Sequence, residues 1–155
     1  MFRFIEFENL CDDEIKLVHK SYDEPDPEKG YAPRYGFSII LKETGEDIGV
    51  VYFSADTSPR QYLVGHLSYG ISPAHAGHNY AMKACRLMKP VALAHGLRRL
   101  FIGAGFDNIA SRKTIEKLGG VLITLQDVPD ESFLQQLQDN KIEMYVWDIE
   151  SFPSL

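Results

Sequence analysis

The sequence predicts one α/β (α+β) domain built on a mixed, mostly antiparallel central sheet. The chain has 155 residues, which is the size of a single hydrophobic core. Apolar residues make up 45% and charged residues 25%, as in ordinary globular proteins, so disorder is excluded as the main property. A hairpin pattern in the first half is followed by strand, helix, strand, helix and strand patterns in the second. We therefore expect one domain over residues 1–155.

The first 34 residues predict a strand, a short helix and a long loop. The spacing of the phenylalanines favours a strand over residues 2–7. Asn9 or Asp12 is the expected N-cap of a helix that carries the apolar residues of 15–18. Residues 21–34 contain three prolines and one glycine, which interrupt backbone ladders, so a functional or mobile loop is expected there.

Two segments rich in β-branched and aromatic residues predict a β-hairpin. They cover residues 35–42 and 47–54, and Gly45 lies in the turn between them. A further strand is expected over residues 61–71 and ends before Pro73, because proline cannot donate a hydrogen bond to a ladder.

The second half alternates helix and strand patterns. Small and apolar residues at helical spacing predict a helix over residues 79–95, kinked at Pro90 because the proline ring removes one helical hydrogen bond. The elements expected after it are a strand at 100–102, a helix at 108–118 ended by Gly119, and strands at 121–125 and 141–149.

Residues 128–140 form a long connection before the last strand. Asp130 could cap a short helix in which Phe133, Leu134 and Leu137 share one apolar face. Long inserts of this kind are disproportionately functional, so we expect a lid or wall over a substrate pocket. The alternative is a surface cap on the end of the sheet.

Charge and cysteine content restrict the partners and the compartment. Sixteen basic against 22 acidic residues give a net charge of −6, which disfavours nucleic acid as a ligand. No apolar run approaches the roughly 20 residues of a membrane-spanning helix, and no export signal is visible. Cys11 and Cys85 are too few for a disulfide scaffold and lack zinc-site spacing, so a cytoplasmic protein is expected.

Residues 69–81 combine a strand end, a proline, a glycine-containing loop and a helix start. This order directs unpaired backbone N–H groups and the positive end of a helix dipole toward one point, which is what a phosphate group requires. We call residues 72–80 the cradle. The alternative is an ordinary connection between strand and helix.

Two segments resemble the GNAT superfamily of acyl-coenzyme-A-dependent N-acetyltransferases. Residues 67–73 with 77–81 look like its pyrophosphate motif, and residues 107–119 look like its next block. The resemblance spans about residues 61–125 and is closest in flavour to the branch that contains ribosomal-protein N-terminal acetyltransferases. It implies a GNAT-type fold with helices on both faces of the sheet, acetyl-CoA as co-substrate, no metal, and the primary amine of a small molecule or peptide as acceptor. It leaves a homodimer open.

The resemblance also implies which residues bind the coenzyme. They are Ile71, Ala76, Gly77, His78, Asn79, Tyr80, Asn108, Ser111 and Arg112. The family loop commonly reads Arg-Gly-x-Gly, whereas this chain has Ala76 and Asn79 at the first and last positions. Backbone amides remain as phosphate donors, and the side chains that could restore positive charge are His75, His78, Lys83 and Arg112.

Acetyl transfer needs a proton acceptor, because an alkylamine with a pKa near ~10 is protonated at neutral pH. His66 is the titratable side chain best placed on the strand that leads to the cradle, although a lone strand histidine is more often structural. Tyr69 and Ser111 are weaker candidates for polarising or protonating the departing sulfur. Ile115 stands where many members carry a tyrosine that serves as the acid.

Other interpretations have less support. Residues 102–108 superficially resemble a dinucleotide fingerprint, but its third glycine is absent. His75 and His78 lack a third metal ligand. The acids of residues 23–28 could attract a cationic amine or simply be solvated. The rival function is a non-catalytic ligand-binding or interaction domain with a degenerate coenzyme A loop.

Overall fold

The computed structural model describes residues 2–150 as two antiparallel sheets with helices on both faces. The strands are β1 (Ile15–Asp23), β2 (Arg34–Leu41), β3 (Asp47–Ser54), β4 (Leu67–Ile71), β5 (Arg99–Gly105), β6 (Val121–Leu122) and β7 (Ile142–Asp148). The helices are α1 (Gln61–Val64), α2 (Tyr80–Leu87), α3 (Lys89–Ala94), α4 (Ile109–Leu118) and α5 (Glu131–Asp139). The first sheet has the order β1-β2-β3-β4 and the second β5-β7-β6. The expected α+β class is confirmed, with the sheet divided between β4 and β5.

The alternation of side chains in β5 and β7 produces two cores. Leu100, Ile102 and Trp147 belong to the larger core, which also contains residues of α2, α3 and α4. Phe101 and Met144 point the other way and join a smaller core. Leu137 of α5 and, at its margin, Tyr62 and Leu63 of α1 complete that smaller core. Helices therefore cover both faces, as the resemblance implies.

The predicted opening strand and first helix are wrong. Residues 2–9 form no regular element, and the N–H of Ile5 donates to the Tyr35 hydroxyl at 2.8 Å instead of to a strand. Asp12 does accept hydrogen bonds from two backbone amides, at 2.8 Å each, but the chain then continues as β1. Ile15 and Leu17 are buried and Lys16 is exposed, which is the period of two that a half-buried strand requires.

The predicted strand over 61–71 is divided at Gly65. Its first part is the helical turn α1, and only its second part forms β4. Gly65 has a φ of +84°, and a Cβ there would lie 2.8 Å from the carbonyl oxygen of Phe101. This position therefore requires glycine, because only glycine allows both the turn and the close approach of β5.

The helix expected over 79–95 is interrupted as its proline suggests. It becomes α2 and α3, joined at Met88, with Pro90 in the first turn of α3 where its missing N–H costs nothing. The strand expected at 121–125 keeps only two residues, β6. Asp130 caps α5 through the N–H of Ser132 at 2.9 Å, which confirms that prediction.

The segment expected as a loop over 21–34 is shorter and more ordered than its prolines suggest. β1 continues to Asp23 and β2 begins at Arg34. The connection between them, residues 24–33, folds back on itself because Asp26 and Tyr31 exchange two backbone hydrogen bonds of 2.9 Å. Within residues 2–150, no helix has the length and apolar character that crossing a bilayer demands.

Candidate active site

The cradle follows the end of β4 and leads into α2. A single 3-10 turn, Pro73–His75, is followed by Gly77 with a φ of +86° and Asn79 with a φ of +64°. Left-handed residues in such a turn are typical of the main-chain concavities that bind anions. Among residues 2–150, no protein atom accepts a hydrogen bond from the backbone N–H groups of 77–81. Such a row of open amides at a helix start fits a phosphate group.

Two of the side chains that could restore positive charge at the cradle are engaged by other partners. His75 bonds with the Ser72 hydroxyl at 2.8 Å and lies 3.4 Å from a carboxylate oxygen of Glu46. Lys83 is engaged by Asp13 at 3.1 Å and by its neighbours Asp12 and Glu14. Both side chains are therefore already bonded to other groups of the chain.

Lys117 supplies a charge that sequence reasoning missed. Its ammonium donates to the side-chain oxygen of Asn79 at 2.9 Å, so a cation from α4 reaches the cradle. Arg112, which stays a predicted coenzyme contact, donates to the Tyr145 hydroxyl and the Phe106 carbonyl, each at 3.3 Å. The motif comparison could not find Lys117, because the contact joins residues 38 positions apart in the chain.

A hydroxyl pair connects β4 to α4. The Tyr69 and Ser111 hydroxyls lie 2.7 Å apart, and the side chain of Asn108 caps α4 by accepting from the N–H of Ser111 at 3.1 Å. Burial raises the pKa of Tyr69, so its hydroxyl keeps its proton at neutral pH. The structure thus brings together three predicted site residues. Ile115 is fully buried in the larger core and faces no opening.

A cavity of about 470 Å³ lies at the opposite end of β4 from the cradle. Its lining comes from the end of β1, the 24–33 connection, β2, β3, α1 and the residues on either side of it, and the start of β4. It includes Tyr31, Tyr52, Asp56, His66 and Ser68. Residues 128–140 do not contribute to this lining. α5 packs through Leu137 into the smaller core on the second sheet, which favours the alternative of a surface cap, and the lid over a substrate pocket stays a prediction.

Several charged side chains line the cavity. Asp23 pairs with Arg34 at 2.7 Å, and that guanidinium lies 4.2 Å from the centre of the Tyr52 ring. Asp56 is only 7% exposed, and its carboxylate accepts from the N–H and the hydroxyl of Ser58 at 2.8 and 2.6 Å. Sequence reasoning missed Asp56, because its position after β3 shows its burial only once the strands are paired.

His66 lies between the cavity and the second sheet and is 2% exposed. Ring atom Nδ1 accepts from the N–H of Phe101 at 2.9 Å, and Nε2 donates to the Asp56 carbonyl at 2.9 Å. Because an amide can only donate and a carbonyl can only accept, these partners fix the neutral tautomer. Burial lowers the pKa of this imidazole. Neither nitrogen is available for a substrate proton, which argues against His66 as the general base.

β4 joins the cavity to the cradle. Residues 66–68 line the cavity, Tyr69 reaches α4, and Ile71 leads into the cradle. An elongated ligand lying along this strand would place one end at the open amides and the other in the cavity. The arrangement fits a nucleotide thioester that meets a second substrate.

Comparison with known proteins identifies the family of the chain. The model of the acetyltransferase (GNAT) domain matches residues 4–121. The chain therefore belongs to the GNAT family of acyl-CoA-dependent acetyltransferases. A search of curated protein sequences found no match.

Solved structures show the same fold. An acetyltransferase from Agrobacterium tumefaciens str. C58 aligns with a TM-score of 0.55 and 23% identity over 74% of this chain, which spans 60% of that protein. The apo form of RimL, a ribosomal L7/L12 alpha-N-protein acetyltransferase, aligns with a TM-score of 0.55 and 17% identity over 81% of this chain and 74% of its own. The Microcin C7 self immunity acetyltransferase MccE, solved in complex with acetyl-CoA and AMP, aligns with a TM-score of 0.51 and 18% identity. The alignment covers 73% of this chain and 59% of MccE.

Proposed function

We propose that this domain transfers the acetyl group of acetyl-CoA to the primary amine of a small molecule or peptide that enters the cavity. The observation that carries the proposal is the continuity of β4, whose start lines the cavity and whose end leads into the cradle. Family membership supports acetyl-CoA as the donor.

The coenzyme pyrophosphate would be held by the backbone amides of residues 77–81 and by the charge of Lys117. Amide donors at a helix start bind anions without an arginine, so Ala76 in place of the family's arginine does not abolish the site. The side chains of Ile71 and Tyr80, both half-buried, flank the cradle and complete the proposed coenzyme contacts.

The acceptor ammonium would be attracted to the cavity by the carboxylates of Asp56 and Glu24, which line it. A cavity of about 470 Å³ has room for a side chain or a short peptide end. The structural neighbour RimL, a ribosomal L7/L12 alpha-N-protein acetyltransferase, makes a peptide amino terminus one acceptor worth testing.

In the transfer, the neutral amine nitrogen forms a bond to the acetyl carbon and the bond from that carbon to sulfur breaks. The ammonium proton leaves to water or to a cavity carboxylate. Coenzyme A departs as a thiol whose pKa is near that of cysteine, about 8.5, so little acid catalysis is needed. We propose that the Tyr69 hydroxyl, kept protonated by burial and held by Ser111, donates to the departing sulfur. The second proton, which the attacking nitrogen loses as the amide forms, returns through solvent to the Tyr69 oxygen, so that the hydroxyl is restored.

The direct test is thermal shift with acetyl-CoA, followed by release of thiol over a panel of amines and peptides. Saturable binding with amine-dependent thiol release is the expected result. Binding without turnover would instead favour the rival, a ligand-binding domain. Absence of both would remove the coenzyme from the proposal.

A matched pair of variants tests the cavity. Asp56→Asn keeps the shape that Ser58 binds but removes the charge, so the Michaelis constant of the amine should rise by about tenfold while coenzyme affinity is unchanged. Asp139→Asn removes the same charge from exposed α5 and should change neither. Equal effects of the two variants on the Michaelis constant would show that the amine does not bind in this cavity.

A further inference from the structure

We propose that His66 is a positioning residue whose neutral imidazole joins the two sheets and fixes the point at which β4 separates from β5. The inference rests on the proposed function in so far as the coenzyme would lie along β4, next to the point where the two sheets separate. It assigns to His66 a role other than proton acceptor.

The main chain of residue 66 is a bridge between the two sheets. Its N–H donates to the carbonyl of Phe101 in β5 at 2.6 Å, and its carbonyl accepts from the N–H of Ser54 in β3 at 2.8 Å. Residue 66 therefore holds one strand of each sheet. β4 and β5 themselves share no ladder among the described residues.

The imidazole of His66 takes the place of a main-chain acceptor between the two sheets. In a continuous sheet, the N–H of Phe101 would donate to a main-chain carbonyl of the neighbouring strand. Here it donates to ring atom Nδ1 of His66, at 2.9 Å. A side chain therefore stands between the strands at this point, and β4 forms no ladder with β5 among the described residues. The N–H of Phe101 has a partner although that partner is not a main-chain carbonyl.

The same ring fixes one wall of the cavity. Ring atom Nε2 donates to the carbonyl of Asp56 at 2.9 Å, and the ring stacks on Phe101 with 5.7 Å between centroids. Asp56 is held in turn by Ser58, so its carboxylate has a defined place in the cavity. One imidazole thereby couples the position of the acceptor carboxylate to the point where the two sheets separate.

This role requires the neutral ring. Protonation would put a proton on Nδ1 against the N–H of Phe101, and burial opposes the charge, although the carboxylate of Asp56 favours it. Other charged groups of the surrounding elements line the same cavity: Asp23 and Glu24 from β1 and its connection, Arg34 from β2, and Arg60 before α1.

The test compares His66→Asn with His66→Leu. The asparagine oxygen can accept from the N–H of Phe101 much as Nδ1 does, whereas leucine cannot, and neither side chain can act as a base. We expect the dissociation constant of coenzyme A, measured by calorimetry, to stay within about threefold for His66→Asn and to rise at least about tenfold for His66→Leu. A general base predicts the opposite pattern: about a hundredfold loss of kcat in both variants, with coenzyme affinity unchanged.

The pH dependence of unfolding provides a readout that needs no ligand. Since the folded-state pKa of His66 lies below the unfolded value, the folded chain binds fewer protons, and the imidazole's contribution to stability is complete above a pH of about 6.5. It should decrease as the pH falls from there toward the folded-state pKa, and this decrease should be smaller in His66→Asn. If His66→Leu does not fold, the kcat of His66→Asn and the acid dependence of its unfolding still test the proposal.

Three results would overturn the proposal: equal coenzyme affinities in His66→Asn and His66→Leu, a base-like loss of kcat in both, or the same acid dependence of unfolding in wild type and His66→Asn. Failure of the wild-type protein to bind coenzyme A would count against the proposed function alone. The unfolding experiment would still test whether the neutral His66 imidazole connects the two sheets.

Discussion

Substituting Gly77 tests whether main-chain amides carry the coenzyme site. Gly77 has a φ of +86°, and proline fixes φ near −65°, so Gly77→Pro cannot keep the turn. The change also removes one of the open N–H groups of residues 77–81. We expect the dissociation constant of coenzyme A to rise by at least about tenfold.

The magnitude follows from the number of amides that are lost. A hydrogen bond to a charged group contributes about 1.5–3 kcal/mol, and each 1.4 kcal/mol changes a dissociation constant tenfold. Loss of the Gly77 amide alone therefore corresponds to about 10–100-fold, and reorientation of His78 adds to it.

Two further variants isolate the cause. Gly77→Ala keeps the N–H, and a Cβ there meets no atom within 4 Å, so only the left-handed conformation opposes it, by about 1–2 kcal/mol. Its effect on coenzyme affinity should be smaller than that of Gly77→Pro. His75→Ala removes a ring bonded to Ser72 and Glu46, away from the open amides, and should change affinity less than about threefold.

Isothermal titration with coenzyme A measures all three variants, each checked by circular dichroism to be folded at the titration temperature. The expected order of dissociation constants is Gly77→Pro, then Gly77→Ala, then His75→Ala. Equal and small changes in the three variants would refute the assignment of the pyrophosphate to residues 72–80.

Three other predictions concern affinity, strand pairing and α5. Lys117→Ala should raise the dissociation constant of coenzyme A about fivefold through loss of the charge near Asn79, while Lys16→Ala, at an exposed position of β1, should leave it unchanged. Equal dissociation constants in the two variants would exclude a role of Lys117 in coenzyme binding. Gly49→Ala should lower the free energy of unfolding in urea by about 1–3 kcal/mol, because its Cβ would lie 2.2 Å from the Gly70 carbonyl oxygen, whereas Gly70→Ala meets no atom within 4 Å and should be close to neutral. Replacing residues 129–139 by a Gly/Ser linker should lower the melting temperature but leave the Michaelis constant of the amine unchanged. A raised Michaelis constant would instead favour a lid over the substrate pocket.

The predictable parts of the fold are those in which local pattern and tertiary packing agree. The hairpin of β2 and β3 and the cap of α5 by Asp130 are correct, because turn glycine and capping carboxylate act within a few residues. β1 was mistaken for a helix because Asp12 makes cap-like hydrogen bonds that also fit a turn into a strand. The pairing of Ile15 with Leu41, 26 residues away, decides between the two.

Motif and spacing made parts of the candidate site predictable. The cradle, Asn108, Ser111 and Tyr69 lie where the motifs suggested, because each depends on one strand end or one helix start. The role of His66 was not predictable, since the bonds of its ring reach Asp56 and Phe101, 10 and 35 residues away. The position of Lys117 at the cradle was not predictable either, because its partner Asn79 lies 38 residues away in the chain.

The sequence by itself determined the class of the domain, the cradle and the family resemblance, because glycine positions, helix starts and alternating strands act over short stretches of chain. Only the tertiary structure decided which polar groups are buried and what satisfies them. His66 is a candidate base in a sequence motif, but in the folded chain two backbone partners use both of its ring nitrogens. The physical reason is that a buried side chain must complete its hydrogen bonds with whatever groups the packing brings near, and those groups are distant in the chain.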